Sequence, residues 1–212
     1  NNEIKENLVY LNENFLKKTN ISPEITIKNL KNINENRVIV KVNSELKKNQ
    51  IILDLKQLEK KIKEIKEIKS LKIKRDFYGN LKITIVEKKP FMIWRHEKKD
   101  TLIDINGESL YFDNINKLKL PILIGEDANK NVKKIFKRIE GFKTIKQNLI
   151  SIEFVNKYRW NLLLNGGIEI MLSYDNVNEN LYVLNNLITN NFFQKKKYKI
   201  ADFRVKKRIF FK

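Results

Sequence analysis

The period of the hydrophobic positions changes several times along this chain, and each change predicts an element. Ile4, Leu8, Leu11 and Phe15 recur at helical spacing among Asn, Glu and Lys, which predicts a short leading helix over Glu3–Lys18. Ile25 and Ile27 then alternate with Thr26 and Lys28 as in a half-buried strand. Val38, Ile39, Val42 and Leu46 return to helical spacing, closed by Lys47-Lys48-Asn49-Gln50. Asp54, with Gln57 three residues on, has the form of an N-cap, because a carboxylate there can accept the first unpaired backbone N–H groups. Leu55, Leu58, Ile62, Ile65 and Ile68 form the clearest stripe in the sequence. Lys60, Lys61, Lys63, Lys66 and Lys69 look like a phosphate-binding row, but Glu59, Glu64 and Glu67 interleave with them and predict a solvated, internally paired face. Alternating runs at 71–74 and 81–85, joined through Tyr78-Gly79-Asn80, predict a hairpin. Up to Pro90 the order is strand, helix, helix, strand, strand, which predicts a three-stranded sheet under two helices.

Beyond Pro90 the pattern is richer in strands. Residues 91–95, 102–105 and 109–112 are predicted strands, with Asn106-Gly107 as a tight turn. Leu120-Pro121-Ile122-Leu123-Ile124-Gly125 is extended, its proline marking a sheet edge or the lead-in to a strand. Val132, Ile135, Phe136 and Ile139 predict a helix ended by Gly141. Strands follow at 149–154, 159–164 and 168–172, the last two joined through Asn165-Gly166-Gly167. A helix carrying Val177, Leu181, Leu184, Leu187 and Ile188 precedes a final strand over Lys199–Val205 and a frayed basic tail. The whole predicts an α+β chain whose two units abut at Lys88-Lys89-Pro90.

Composition narrows the chemistry. The chain has 212 residues with 42% hydrophobic content, enough for a core in each of two units. It contains no Cys and a single His, His96, so disulfides, thiolate nucleophiles and two-histidine metal sites are excluded. Asp100, Asp104 and Asp113 make no recognisable acid pair; Asp104 before Asn106-Gly107 fits a turn cap. Trp94 and Trp160 are expected in the core and His96 at the surface. No catalytic residue, cofactor or metal is expected. The net charge of +19 invites a nucleic-acid partner, and Lys206-Lys207-Arg208 with Phe210-Phe211 could stack on and neutralise a single strand. The excess is carried mainly by lysine, however, beside abundant Asn and Ile and only two alanines, which is what compositional drift deposits on solvated positions. The longest uncharged run, Asn180–Gln194, is too rich in Asn to span a bilayer, and a chain starting at Asn1 rather than Met leaves room for an upstream anchor.

Several motifs in order resemble one family. Leu81 to Val86 running into Glu87-Lys88-Lys89-Pro90 and then Trp94 resembles the POTRA domain and exit segment of the bacterial FtsQ/DivIB cell-division family. Ile103-Asp104 to Gly107, Leu120-Pro121 to Gly125, Arg159-Trp160-Asn161-Leu162 and Ala201-Asp202-Phe203-Arg204 resemble that family's downstream motifs. Asn29 departs from it, standing where the family prefers Gly.

The resemblance implies residues 1–22 following a membrane anchor, a POTRA domain over 23–90 (β-α-α-β-β) and a strand-rich β domain with flanking helices over 91–212. It also implies a non-enzymatic divisome scaffold on the periplasmic side of the inner membrane at the septum. The expected partners are homologues of FtsB and FtsL, which would add a strand to an open border at Lys199, Ile200, Ala201, Asp202, Phe203, Arg204 and Val205. Arg204 matches the family's partner-contact arginine, Val205 replaces an aromatic residue often found there, and Tyr174 falls where relatives carry a basic residue. The alternative is a basic nucleic-acid-binding module. Under the family reading no nucleic acid is expected.

Overall fold

The computed structural model describes residues 23–48, 53–112 and 119–212, so the expected helix over Glu3–Lys18 and Asp113 lie outside the described residues. The chain divides into two compact units, the first running to Lys88 and including Phe112, the second taking up the rest from Lys89 onward.

The first unit holds β1 (Ile25–Lys28), α1 (Glu35–Lys48), α2 (Leu55–Lys63), β2 (Ile68–Arg75) and β3 (Leu81–Glu87). Its sheet order is β1-β3-β2, with β1 parallel and β2 antiparallel to β3. Leu81, Ile83 and Ile85 alternate into the core, where Val38, Val42, Leu58 and Ile62 from the helices are fully buried. Asp54 caps α2 by accepting from Lys56 N at 2.8 Å and Gln57 N at 3.3 Å. The predicted stripe outlasts the helix. Beyond Lys63 the backbone tightens into i→i−3 bonds, Ile65 N to Ile62 O and Ile68 N to Ile65 O, so Ile65 and Ile68 keep facing the core while the chain turns into β2. Part of the lysine row is compensated: Glu64 accepts from Lys61 at 2.8 Å as well as from Lys41 of α1 at 2.6 Å, and Glu59 pairs with Lys63 at 2.6 Å, whereas Glu67 pairs with Arg37 at 2.9 Å.

Asn29 takes φ +67, the left-handed conformation that Asn tolerates better than most residues, so the turn after β1 closes without glycine. Glu87, at the end of β3, holds the following loop. Its carboxylate accepts the backbone N–H groups of Lys31, Asn32 and Ile33 at 2.8, 2.9 and 3.0 Å, and the Asn32 side-chain amide at 2.9 Å.

The second unit is a nine-stranded mixed sheet. Its strands are β4 (Met92–His96), β5 (Lys99–Ile103), β6 (Ser109–Leu110), β7 (Ile122–Ile124), β8 (Leu149–Val155), β9 (Arg159–Leu164), β10 (Ile168–Met171), β11 (Ile200–Asp202) and β12 (Phe210–Phe211). The order is β12-β11-β10-β9-β8-β7-β4-β5-β6. β7 lies between β4 and β8, parallel to both, so Pro121 marks the lead-in to an interior strand. Among the described residues four helices complete the unit: α3 (Ala128–Ile139), α4 (Lys143–Asn148), α5 (Val177–Thr189) and α6 (Phe192–Lys196). Val132, Ile135 and Ile139 of α3 and Leu181 and Leu184 of α5 share one core with Leu123, Ile152, Leu162, Ile170 and Ala201 of the sheet. The alternate positions, such as Asn161, Met171 and Asp202, stay half-exposed on the sheet's other face. Trp160 is buried in that core as expected, and Trp94 is half-buried, donating from Nε1 to Gly125 O at 3.0 Å. His96 is not simply exposed: its ring stacks on Trp94 with centroids 5.6 Å apart.

The C-terminal sheet border and a basic aromatic cleft

The expected open border proves to be covered. β11 spans only Ile200–Asp202 and is paired on both sides, parallel to β10 with Ile170 opposite Ala201, and antiparallel to β12 with Ala201 opposite Phe211. The physical reason is the chain's own tail. After Asp202 the backbone turns through Val205–Arg208, with Arg208 N donating to Val205 O and Lys207 at φ +61, and brings Phe210–Phe211 back alongside β11. The tail expected to fray is therefore a strand. Phe211 anchors it, its ring 4.9 Å from Phe192 and 5.4 Å from Tyr198.

The register fixes which backbone groups face outward. Ile200 and Lys212 exchange both bonds, at 2.9 and 3.1 Å, so Ile200 and Asp202 direct their N–H and C=O groups toward β12, while Ala201 directs its own toward β10. By the same alternation Phe211 turns its backbone groups to the free side of β12.

The seven border residues divide by side chain. Ala201 and Phe203 are buried in the core, so they hold the strand in place and are closed to a partner. Ile200 and Asp202 are half-exposed on the opposite face, Arg204 and Val205 are exposed, and Lys199 donates from Nζ to Gly166 O at 2.6 Å. Arg204 is already engaged. Its guanidinium grips the Asp202 carboxylate, Nε to Oδ1 at 2.8 Å and Nη2 to Oδ2 at 2.6 Å. That contact with Arg204 holds the Asp202 carboxyl below the usual carboxylate range, aided by the Arg204 N–H and the charge of Arg159 and opposed by partial burial. Phe210 and Phe211, expected from the sequence to belong to a frayed basic tail, are instead the strand that covers the border.

Tyr174 lies in the connection from β10 to α5, not on the border strands. It is largely exposed, with its ring 6.0 Å from that of Tyr158. Both line a cleft of about 430 Å³ between α3 and the β8–β9 turn, whose lining includes Phe154 and Trp160, stacked at 4.4 Å. The turn is set by Asn156 at φ +49 and Lys157 at φ +60, a pair of left-handed residues that matches the twist of the flanking strands. Among the described residues no group of three or more His, Cys, Asp and Glu side chains is placed to hold a metal ion, and no helix is long and apolar enough to cross a membrane.

Comparison with known proteins bears on both units. Residues 92–204 match the family model described as cell division protein FtsQ/DivIB, C-terminal, and residues 22–88 match the POTRA domain, FtsQ-type. Among curated relatives, the cell division protein FtsQ of Rickettsia bellii is 25% identical over 187 residues, covering 88% of this chain and 70% of that protein. FtsQ of Bartonella bacilliformis is 26% identical over 51% of this chain, and FtsQ of Rhizobium meliloti is 22% identical over 63%. The matched segment spans only 36% and 44% of those two proteins. The major extracytoplasmic domain of the cell division protein DivIB from Geobacillus stearothermophilus is 13% identical, with a TM-score of 0.36, over 50% of this chain and 97% of that one.

Proposed function

Because this chain belongs to the FtsQ/DivIB family of cell-division proteins, we propose that it is a non-enzymatic scaffold of the divisome, working on the periplasmic side of the inner membrane at the septum. In this reading its POTRA unit serves localisation and upstream contacts, and the C-terminal border receives the periplasmic segments of FtsB and FtsL homologues.

The observation that carries the reading is that β11 is held from outside by a strand of only two residues. Ile200 and Asp202 offer four backbone groups on that side, whereas the free side of β12 offers the pair on Phe211. Those four groups are already paired with β12, so a partner gains only the hydrogen bonds it makes beyond the ones it displaces, each net bond contributing about 0.5–1.5 kcal/mol. In this reading a partner segment longer than two residues takes the place of Phe210–Phe211 rather than extending beyond it. An aromatic side chain on the partner would refill the position of Phe211 between Phe192 and Tyr198. A partner carboxylate would meet Arg204 in competition with Asp202.

The test is capture of the chain by immobilised periplasmic segments of FtsB and FtsL homologues. Deleting residues 199–212 is expected to abolish capture, and Arg204→Glu to weaken it strongly, with circular dichroism confirming that each variant is folded. Equal capture of all three proteins rules out the border as the docking site.

A further inference from the structure

The cleft beside α3 has a composition that the border does not explain. Its lining includes the stacked Phe154 and Trp160, both almost fully buried, and the two largely exposed tyrosines, Tyr158 and Tyr174. One wall is cationic. Successive turns of α3 place Asn131, Lys134 and Arg138 along it. Lys157 at the turn is compensated by Glu126 and Asp127, but among the described residues neither Lys134 nor Arg138 forms an ion pair. Arg138 is moreover half-buried, and a guanidinium that has lost part of its hydration without gaining a counter-charge is an incomplete arrangement. Asp175 stands on the lining as its lone acid.

We propose that this cleft docks an acidic segment of a partner protein that carries an aromatic or aliphatic anchor residue. The anchor enters between Tyr158 and Tyr174, where an apolar side chain buries aromatic surface that is now exposed. The acidic group meets Arg138 and Lys134, and a planar carboxylate matches the fork of the arginine. Asp175 repels a second acid and so sets the direction in which the segment lies. This inference stands apart from the strand exchange at β11, because it uses side chains on the helix-bearing side of the sheet and no backbone pairing.

The experiment uses the full chain and a short fluorescein-labelled peptide of glutamates around one phenylalanine. Two control peptides replace Glu by Lys or Phe by Ala, and a soluble peptidoglycan glycan fragment is run beside them, all at about 0.15 M salt. Because the chain is basic overall, the decisive comparison lies between two variants that change its charge equally. Arg138→Glu alters the cleft, whereas Lys137→Glu alters an exposed neighbour on α3 outside it. The glutamate peptide is expected to bind saturably by anisotropy and to shift the amide resonances of Tyr158 and Tyr174. Arg138→Glu and Lys134→Glu should each weaken it about tenfold, and Lys137→Glu by less than about twofold. Equal effects of Lys137→Glu and Arg138→Glu, preference for the lysine peptide, no loss on replacing Phe by Ala, or binding of the glycan fragment alone would each overturn the proposal.

Discussion

Glu87 illustrates how one side chain can hold a local fold. It lies at the end of β3, yet its bonds reach Lys31, Asn32 and Ile33, whose N–H groups just before α1 have no strand partner. Partial burial raises the Glu87 pKa, but the three backbone N–H groups and the Asn32 amide outweigh it and bring the carboxyl below its ordinary value. A carboxyl depressed on folding stabilises the folded state fully above its unfolded pKa, and that contribution disappears as the pH falls through the lower folded value. Glu87→Ala is therefore expected to lower the stability of the first unit by about 2 kcal/mol, well short of the sum of its bonds because the carboxylate remains partly solvated. Hydrogen exchange at the Ile83 and Ile85 amides measures this. Glu87→Gln should also lose the acid-dependent part of the protection that the parent sheds below about pH 4.5, the ordinary value of this group. Unchanged exchange in both variants would remove the loop-holding role. Gly107 is the second such residue, since it sits at φ +82 and a Cβ there would lie 1.9 Å from Asn129 O, so the turn after Asp104 admits only glycine.

At the scale of elements, β12 decides how the border works. If it occupies the place of a partner strand, removing it should help the partner. Deleting residues 206–212, which leaves Arg204 and Val205, is expected to tighten capture by the FtsB and FtsL segments about tenfold, the worth of one or two net backbone bonds. Phe211→Ala, which loosens the anchor against Phe192 and Tyr198, should act in the same direction. Weaker capture by both variants would mean that the partner extends the sheet from the free side of β12. None of this was legible before the structure, and the reason is physical. Long amphipathic patterns announce themselves, so α1, α3, α5 and strands β8 to β10 stand in the sequence nearly where they fold. A two-residue strand has no period at all, and the short helices α4 and α6 have little more than one turn of it. The turn Glu97-Lys98 adopts a left-handed pair with residues that carry no turn signal of their own, which is why the β4–β5 hairpin falls earlier than the pattern suggested. The site suffered most. Tyr174 was grouped with the border by sequence resemblance, and only the fold separates it into the cleft with Tyr158.

At the scale of the whole molecule the question is what a charge of +19 does. A selected phosphate-binding face needs cations that converge and remain free. The densest lysine row instead spends part of its charge internally, on Glu59 and on Glu64, whose pKa Lys41 and Lys61 bring down to about 2. Of the basic tail, Lys206, Lys207 and Arg208 lie in a turn, while Phe211 stacks on Tyr198 within the protein, which removes that ring as a platform for bases. Positive charge spread over the surface, with the ring of Phe211 packed inside the protein, predicts a particular behaviour. Single-stranded oligonucleotides of unrelated sequence should bind equally, without fixed stoichiometry, and their affinity should fall steeply as salt rises toward about 0.15 M. Over the same range capture by division-protein segments should persist, since main-chain pairing and aromatic packing are not screened. Fluorescence titrations at several salt concentrations separate the two. A saturable oligonucleotide site of defined size that survives physiological salt would mean that the charge had been selected to bind phosphate, and that the protein has a nucleic-acid partner as well.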